Sequence, residues 1–494
     1  MASLFAGIDV GTQGVRCLVV DPAGRPMGAG EVPFSLEQTS LPEGWREQEP
    51  RAWVVAVRRS LAQALGDVPA DRVAAVGVTS TSGTLCVLDS GHAPIMPAIM
   101  YNDRRSRREA EQLQRAGIDL TDRLGYRFSS SFGLPKILWV KQNRPEVYGR
   151  ARLFTSPTDY VIGWLTHAWG RSDQTNMLKF GYDLLEGRWP RFIEEALGLD
   201  ASRLPRVQKP GEPAGRITRE RAAETGLPHG IPVVAGMTDG CASQVSSGAV
   251  APGLYNTTIG TTLVIKGVSE ELLLDPVGRI YCHRHPAGWW LPGGASNTGA
   301  ECLAAGRVAG RETGFGPDDT EALSNVALDH SPTDLTVYPL VGTGERFPFR
   351  DPEAEGFVLG SPEGREQLFA GCLEGVACLE RLAYETLADI GARVGDTIYS
   401  AGGGAAGDSW LQIRADTMDR TVLRPALTGA AMGAAILAAS HERYADLPEA
   451  ARAMVRIEKE VQPRAHCVDA YGQKYEEFVA ECAARNYVER RARG

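Results

Sequence analysis

The chain reads as an α/β protein of two lobes, and three features of its sequence predict this. A strand, a Gly-Thr turn and a strand occur twice, as Leu4 to Val20 around Gly11-Thr12-Gln13-Gly14 and as Leu254 to Ile265 around Gly260-Thr261-Thr262. At 494 residues the chain exceeds the size at which one core usually gives way to two. Apolar strands also run into small-residue turns that open helices, at Ile231 to Cys241 and at Thr397 to Ala405. Two such hairpins suggest two related lobes, each offering one turn to a shared cleft.

The first hairpin sets the chemistry. Its glycine-rich turn brings backbone N–H groups and the Thr12 hydroxyl near any anion it meets. Asp9, at the end of a strand that reads as buried, makes sense beside such a turn if a divalent cation lies between carboxylate and phosphate. The alternative is a hairpin whose aspartate caps its own turn. Asp239 stands where the apolar run Ile231 to Gly236 hands over, through Met237-Thr238, to a helix beginning near Cys241. A helix N-terminus keeps a carboxylate ionised, the form a general base needs; a plain N-cap is the other reading.

Bulk composition excludes several classes. The net charge of −9, with both signs interspersed, offers no basic footprint for nucleic acid. Nine cysteines occur without a Cys-x-x-Cys pair and read as reduced, mostly buried thiols. With no secretory signal and no apolar run long enough for a bilayer, the expectation is a cytoplasmic protein without a membrane partner, monomeric or homodimeric.

Along the chain, Asp21 to Pro26 is a turn and Met27 to Phe34 a third strand. Trp53, Val57, Leu61 and Leu65 recur every four residues and predict a helix with one buried face. The loop before it carries Trp45 and Glu47. Val73 to Thr79 is a strand running into Ser80-Thr81-Ser82-Gly83-Thr84, whose hydroxyls can bond a polyol or satisfy their own turn. Asp103, beside Arg104 and Arg105, is either a surface ion-pair cluster or a pocket contact. Thr155 to Tyr160 reads as a capped helix start, and Ser172 to Asn176 as a polar loop, solvated or lining a pocket. Small residues at Gly293 to Gly299 allow a ligand or another backbone to approach. Leu373 to Leu387 predicts a helix, and Gly402-Gly403-Gly404 expose amides suited to an adenine or α-phosphate. Tyr471, Tyr475, Phe478, Val479 and Cys482 form a helical stripe assigned to packing.

Ile8 to Arg16, Gly236-x-x-Asp239-Gly240, Ile259 to Thr262, the triple glycine and Gly429 to Ile436, in this order, resemble the FGGY family of carbohydrate kinases within the actin-like ATPase superfamily. The resemblance spans Phe5 to about Ala439. It implies two ribonuclease H-like lobes closing over a cleft, 1–250 for the sugar and 251–494 for ATP, with the C-terminal helix packing back. Asp239 would be the base and Asp9 would hold Mg²⁺. Gly11, Thr12, Gln13, Gly260, Thr261, Thr262, Gly402, Gly403 and Gly404 would bind ATP. Ser82, Gly83, Thr84, Asp103 and Asp239 would meet the sugar. The stretch Thr81 to Thr84 is more similar to the D-ribulose kinases than to the bulkier Met-His-Gly form of xylulose kinases, so D-ribulose is the expected substrate. D-xylulose, L-ribulose or another polyol is the alternative, and a non-catalytic actin-like ATP-binding protein the remaining one. After the glycines the family continues with lysine and asparagine or serine, where this chain has Ala406 and Gly407. Glu345 and Arg346 are expected to pair.

Overall fold

The computed structural model describes residues 3–34 and 41–489. The chain forms two compact units, one of residues 1–250, 283–289 and 427–456, the other of 251–282, 290–426 and 457–494. The halves expected from the sequence, 1–250 and 251–494, are therefore interleaved.

In the first unit β1 (Leu4–Val10), β2 (Gly14–Val20) and β3 (Pro26–Pro33) form the antiparallel meander that the apolar runs predict. β1 is buried at every residue, as a strand sandwiched on both faces must be. Its other edge pairs in parallel with β4 (Val73–Ser80), and β5 (Pro213–Arg216) and β6 (Pro232–Val234) extend the sheet in the order β5-β6-β4-β1-β2-β3. Helix α1 (Pro50–Ala64) buries Trp53, Val57 and Leu61 against this sheet, and its backbone lies so near that a Cβ on Gly28 would stand 2.0 Å from the Ala64 carbonyl oxygen. Each such aliphatic burial contributes about 1.5–3 kcal/mol. Helix α2 (Pro157–Thr166) starts with a capping box between Ser156 and Asp159. Ser172 to Asn176 is no solvated loop: Asp173 is fully buried and caps a one-turn helix through Thr175 and Asn176.

Helix α3 (Asp239–Ser247) follows the short strand Met237–Thr238. It packs on a returning helix, Ala430–Glu442, that belongs to the same unit. The contact is backbone on backbone. A Cβ on Gly7, Gly77 or Gly433 would lie 1.9, 2.1 or 1.9 Å from the carbonyl oxygens of Ala431, Ala434 and Ala242. This close seating explains why a run of small residues far along the chain folds with the first unit: its matching glycines are on β1 and β4.

In the second unit β7 (Tyr255–Ile259), β8 (Leu263–Gly267) and β9 (Trp290–Ala295) are the antiparallel set. Beyond them, β10 (Thr336–Glu345) and β11 (Asp351–Leu359) make a separate ribbon. Helix α4 (Arg365–Asp389) extends past the predicted Leu373 to Leu387 and is buried on most sides. Its inward Glu380 is matched by Arg414 at 2.6 Å, both side chains fully buried. β12 (Thr397–Ala401), β13 (Thr421–Pro425) and β14 (Ile457–Val461), with helix α5 (Asp408–Met418) between the first two, give the sheet order β9-β8-β7-β12-β13-β14, and a seventh strand, Ile280–Arg284, pairs with the outer side of β9. Helix α6 (Ala465–Ala484) carries the predicted stripe, with Tyr475, Phe478 and Cys482 packed against Tyr338 and Leu379. All nine cysteines are free thiols, and only Cys467 is not buried. Among the described residues no helix is long and apolar enough to cross a membrane.

Candidate active site

The first turn lies at the end of β1 and β2, closed by a bond from the Gly11 N–H to the Gly14 carbonyl at 2.9 Å. Gln48, held by the Trp53 indole, donates to the Thr12 carbonyl at 2.7 Å and fixes the turn from the side. Nothing in the sequence flags Gln48, because its role depends on α1 crossing the hairpin. Asp9 sits opposite Arg16 on β2 and Thr79 on β4, and its Oδ1 is buried without a hydrogen-bond partner. Burial, then the charge of Asp239, push its carboxyl up to about 7, with Arg16 opposing. An unsatisfied carboxylate oxygen that also feels a second carboxylate's charge is a place for a cation.

Asp239 is the first residue of α3, and its Oδ1 accepts the Gly240 N–H at 2.7 Å. The parallel pairing of Thr238 with Ser80 sets it beside the end of β4. Asp9, Thr12, Gln13, Thr81, Tyr101 and Asp239 line one cavity of about 1240 Å³ within the first unit. Of these, Thr81 belongs to the hydroxyl stretch the sequence singles out, whereas Tyr101 carries no role in the sequence reading. Tyr101 stands two residues before Asp103, and which side chains of these stretches face the cavity is decided only by the fold.

The chosen sugar residues divide. Ser82 Oγ is buried and unpartnered, so it retains its bonding capacity. The Thr84 hydroxyl is spent on Thr81 at 3.0 Å and the Tyr101 N–H at 3.2 Å, and Thr84 is fully buried. Gly83 takes φ 82°, and a side chain there would strike the Ser131 carbonyl. Asp103 is not a surface residue: it is 1% exposed, and each of its oxygens accepts two bonds, from Arg105 and from the Arg46 N–H. Arg105 in turn lies 3.7 Å over Trp45 and pairs with Glu47 at 2.7 Å, which places the two residues of the pre-helix loop.

In the second unit Gly260, Thr261 and Thr262 form the turn between β7 and β8. The loop after β9 wraps it, with the Ala300 N–H bonded to the Gly260 carbonyl at 2.8 Å and the Glu301 N–H to that of Thr261 at 3.3 Å. The small residues there serve backbone approach: a Cβ on Gly299 would stand 2.6 Å from the backbone of Thr262. The triple glycine follows β12, the parallel neighbour of β7, so both turns leave the C-terminal ends of adjacent strands. Gly402 and Gly404 pack under Ile259, and Gly403 faces open space. Where the family carries lysine, the backbone is held from below instead. Arg424 bonds the Ala405 and Ala406 carbonyls, and Asp408 pairs with Arg424 and Lys459.

Two sheets of one strand pattern, each with a strand, Gly-Thr turn and strand at its centre, define an actin-like, ribonuclease H-like fold. Residues 4–246 match the N-terminal domain, and residues 256–441 the C-terminal domain, of the FGGY family of carbohydrate kinases. The chain is 31% identical to the xylulose kinase of Streptomyces coelicolor, covering 88% of this chain and 87% of that one. With the xylulose kinase of Bacillus subtilis it shares 27% over 94% of both. The solved xylulose kinase of Rhodospirillum rubrum superposes with a TM-score of 0.86 at 26% identity, over 98% of this chain and 99% of that one. The chain belongs to the FGGY family of carbohydrate kinases, and it is an ATP-dependent sugar kinase.

Proposed function

We propose that the enzyme phosphorylates the terminal hydroxyl of a ketopentose, D-xylulose before D-ribulose. The observation that carries the chemistry is that Asp239 and Asp9 share one cavity with the Gly11 to Gln13 turn. The preference for D-xylulose follows the similar proteins, which are named xylulose kinases, over the hydroxyl-rich Thr81 to Thr84 stretch that suggested D-ribulose. That stretch is a weaker guide because the Thr84 hydroxyl is already satisfied.

Phosphoryl transfer asks the protein mainly for positioning and charge stabilisation. Asp239, at the N-terminus of α3, accepts the proton of the attacking hydroxyl. Ser82 Oγ supplies a hydrogen bond to the sugar. The backbone and hydroxyls of Gly11 to Gln13 and Gly260 to Thr262 hold phosphate oxygens, and Gly402 to Gly404 receive the adenosine end. Mg²⁺ fits Asp9, whose Oδ1 has no partner. Among the described residues no cluster of three or more His, Cys, Asp or Glu forms a closed cage, and Mg²⁺ typically takes only one or two carboxylates, completing its shell with water and phosphate. When bound it neutralises charge on the phosphates.

ADP release with Mg²⁺-ATP over D-xylulose, D-ribulose, L-ribulose, ribitol and glycerol tests the reading. Turnover highest with D-xylulose is expected. Highest turnover with D-ribulose reverses the order of the two ketopentoses, and nucleotide binding without turnover on any sugar overturns the assignment.

A further inference from the structure

Glu345, expected to pair with Arg346, does something else. Its carboxylate is 3% exposed and lies at the end of β10. Oε2 accepts the hydroxyls of Ser296 at 2.7 Å, Tyr338 at 2.9 Å and Thr298 at 3.1 Å. Oε1 accepts the N–H groups of Asn297 at 2.6 Å and Arg346 at 2.8 Å. The Arg346 guanidinium turns to the Ser296 carbonyl instead. All five bonds to the carboxylate come from hydroxyls and backbone amides, and three of them come from consecutive residues of one loop, Ser296 to Thr298.

That loop is the splint of the second Gly-Thr turn. The Ser296 N–H bonds the Leu263 carbonyl at 2.9 Å and the Leu263 N–H bonds the Thr298 carbonyl at 2.8 Å, while Ala300 and Glu301 bond Gly260 and Thr261 as above. Asn297 Nδ2 adds a bond to the Gly344 carbonyl at 2.8 Å, tying the loop to the residue before Glu345. A buried carboxylate is expensive unless its lone pairs are filled, so filling them fixes where the three loop residues stand. The turn then inherits their position.

We infer that Glu345 is a positioning residue for the nucleotide: through the Ser296 to Glu301 loop it holds Gly260 and Thr261 in the geometry that receives phosphate. This rests on the proposal that this turn binds ATP. It predicts an effect on nucleotide and little on sugar, although Glu345 touches neither.

The test compares E345Q and G260V with the unaltered enzyme in ADP binding by calorimetry without sugar, in KM for ATP and for sugar, in kcat and in melting temperature. Gly260 has open space around its Cβ position, so G260V obstructs the turn without disturbing the core. For E345Q a loss of ADP affinity and a rise in KM for ATP of about 10-fold are expected, the size of a lost charged hydrogen bond, with KM for sugar within about twofold. If G260V loses ADP binding while E345Q retains it, the positioning role is overturned and the nucleotide turn stands. If G260V also binds ADP normally, the turn is not a phosphate site and both readings fall. Equal rises in both KM values for E345Q, with a lowered melting temperature, mark a merely structural carboxylate and overturn the inference. Should E345Q not fold, Y338F removes one donor and keeps the ring, and a smaller shift confined to ATP is expected; no shift confined to ATP in Y338F overturns the role.

Discussion

The two units use one strand pattern and decorate it differently. In each, three antiparallel strands are followed by two parallel ones and an antiparallel edge, with the Gly-Thr turn joining the inner two of the antiparallel three; the second sheet adds one strand outside β9. Two residues before that turn, the first unit has Asp9 and the second Thr258. After the next parallel strand, the first unit has Thr81-Ser82-Gly83-Thr84 and the second Gly402-Gly403-Gly404-Ala405. One scaffold thus presents carboxylates and hydroxyls, suited to moving a proton and holding a polyol. The other presents bare amides and threonines, suited to an anion that a nearby carboxylate would repel.

The comparison breaks most decisively at Asp239. Asp239→Asn keeps the shape and removes the proposed base, so kcat should fall by ~10²- to 10⁴-fold with sugar affinity retained. Near-normal single-turnover rates in that variant would mean that the carboxylates of the first unit are not what distinguishes it.

Gly77→Val attacks the scaffold rather than its decoration. With the Ala434 carbonyl oxygen 2.1 Å from the Cβ position, the returning helix must move, and a loss of at least about 3 kcal/mol in urea unfolding is expected. A variant as stable as the unaltered chain would show that the helix is not seated on β1 and β4.

Thr258→Asp makes the second unit resemble the first. It should raise KM for ATP by about 10-fold and leave KM for sugar alone, since it sets a like charge near the phosphates. An unchanged KM for ATP would remove the reason for the difference at this position.

The smallest effect is a pH dependence of stability from buried carboxyls, seen most clearly in the first unit, although burial raises Glu374 of the second unit as well. Burial, then the charge of Asp173, raise Asp159 to about 7, as burial and Asp239 raise Asp9. A carboxyl raised on folding favours the protonated native state, so its contribution is complete below the unfolded value near 4 and is lost as pH rises to about 7. Melting temperature measured without divalent cation should fall across that window, and Asp159→Asn should flatten the fall. The carboxylates lowered by their partners, Asp21, Asp275 and Asp408 among them, act at lower pH, whereas His285, which burial lowers to about 4, gains stability as pH rises through the same window and opposes the fall, so the difference between Asp159→Asn and the unaltered chain is the quantity to read.

Both hairpins were legible because an apolar run broken by a glycine turn has few other solutions, and their strands start and stop close to the predicted residues. Asp239 was legible for the same local reason, a strand giving way to small residues at a helix start. Asp103 was not: a carboxylate beside two arginines looks the same on a surface as under Trp45. Glu345 was misjudged because adjacency to Arg346 says nothing about a loop almost fifty residues away.

From its sequence alone this chain determined its hairpins, its glycine turns, its acidic strand end and its family, since each is written in neighbouring residues and in their order. Tertiary structure decided which half the small-residue helix joins, which hydroxyls are already satisfied, and what a buried glutamate holds. Those depend on backbones that meet only after folding, where a missing Cβ or a filled lone pair becomes a contact.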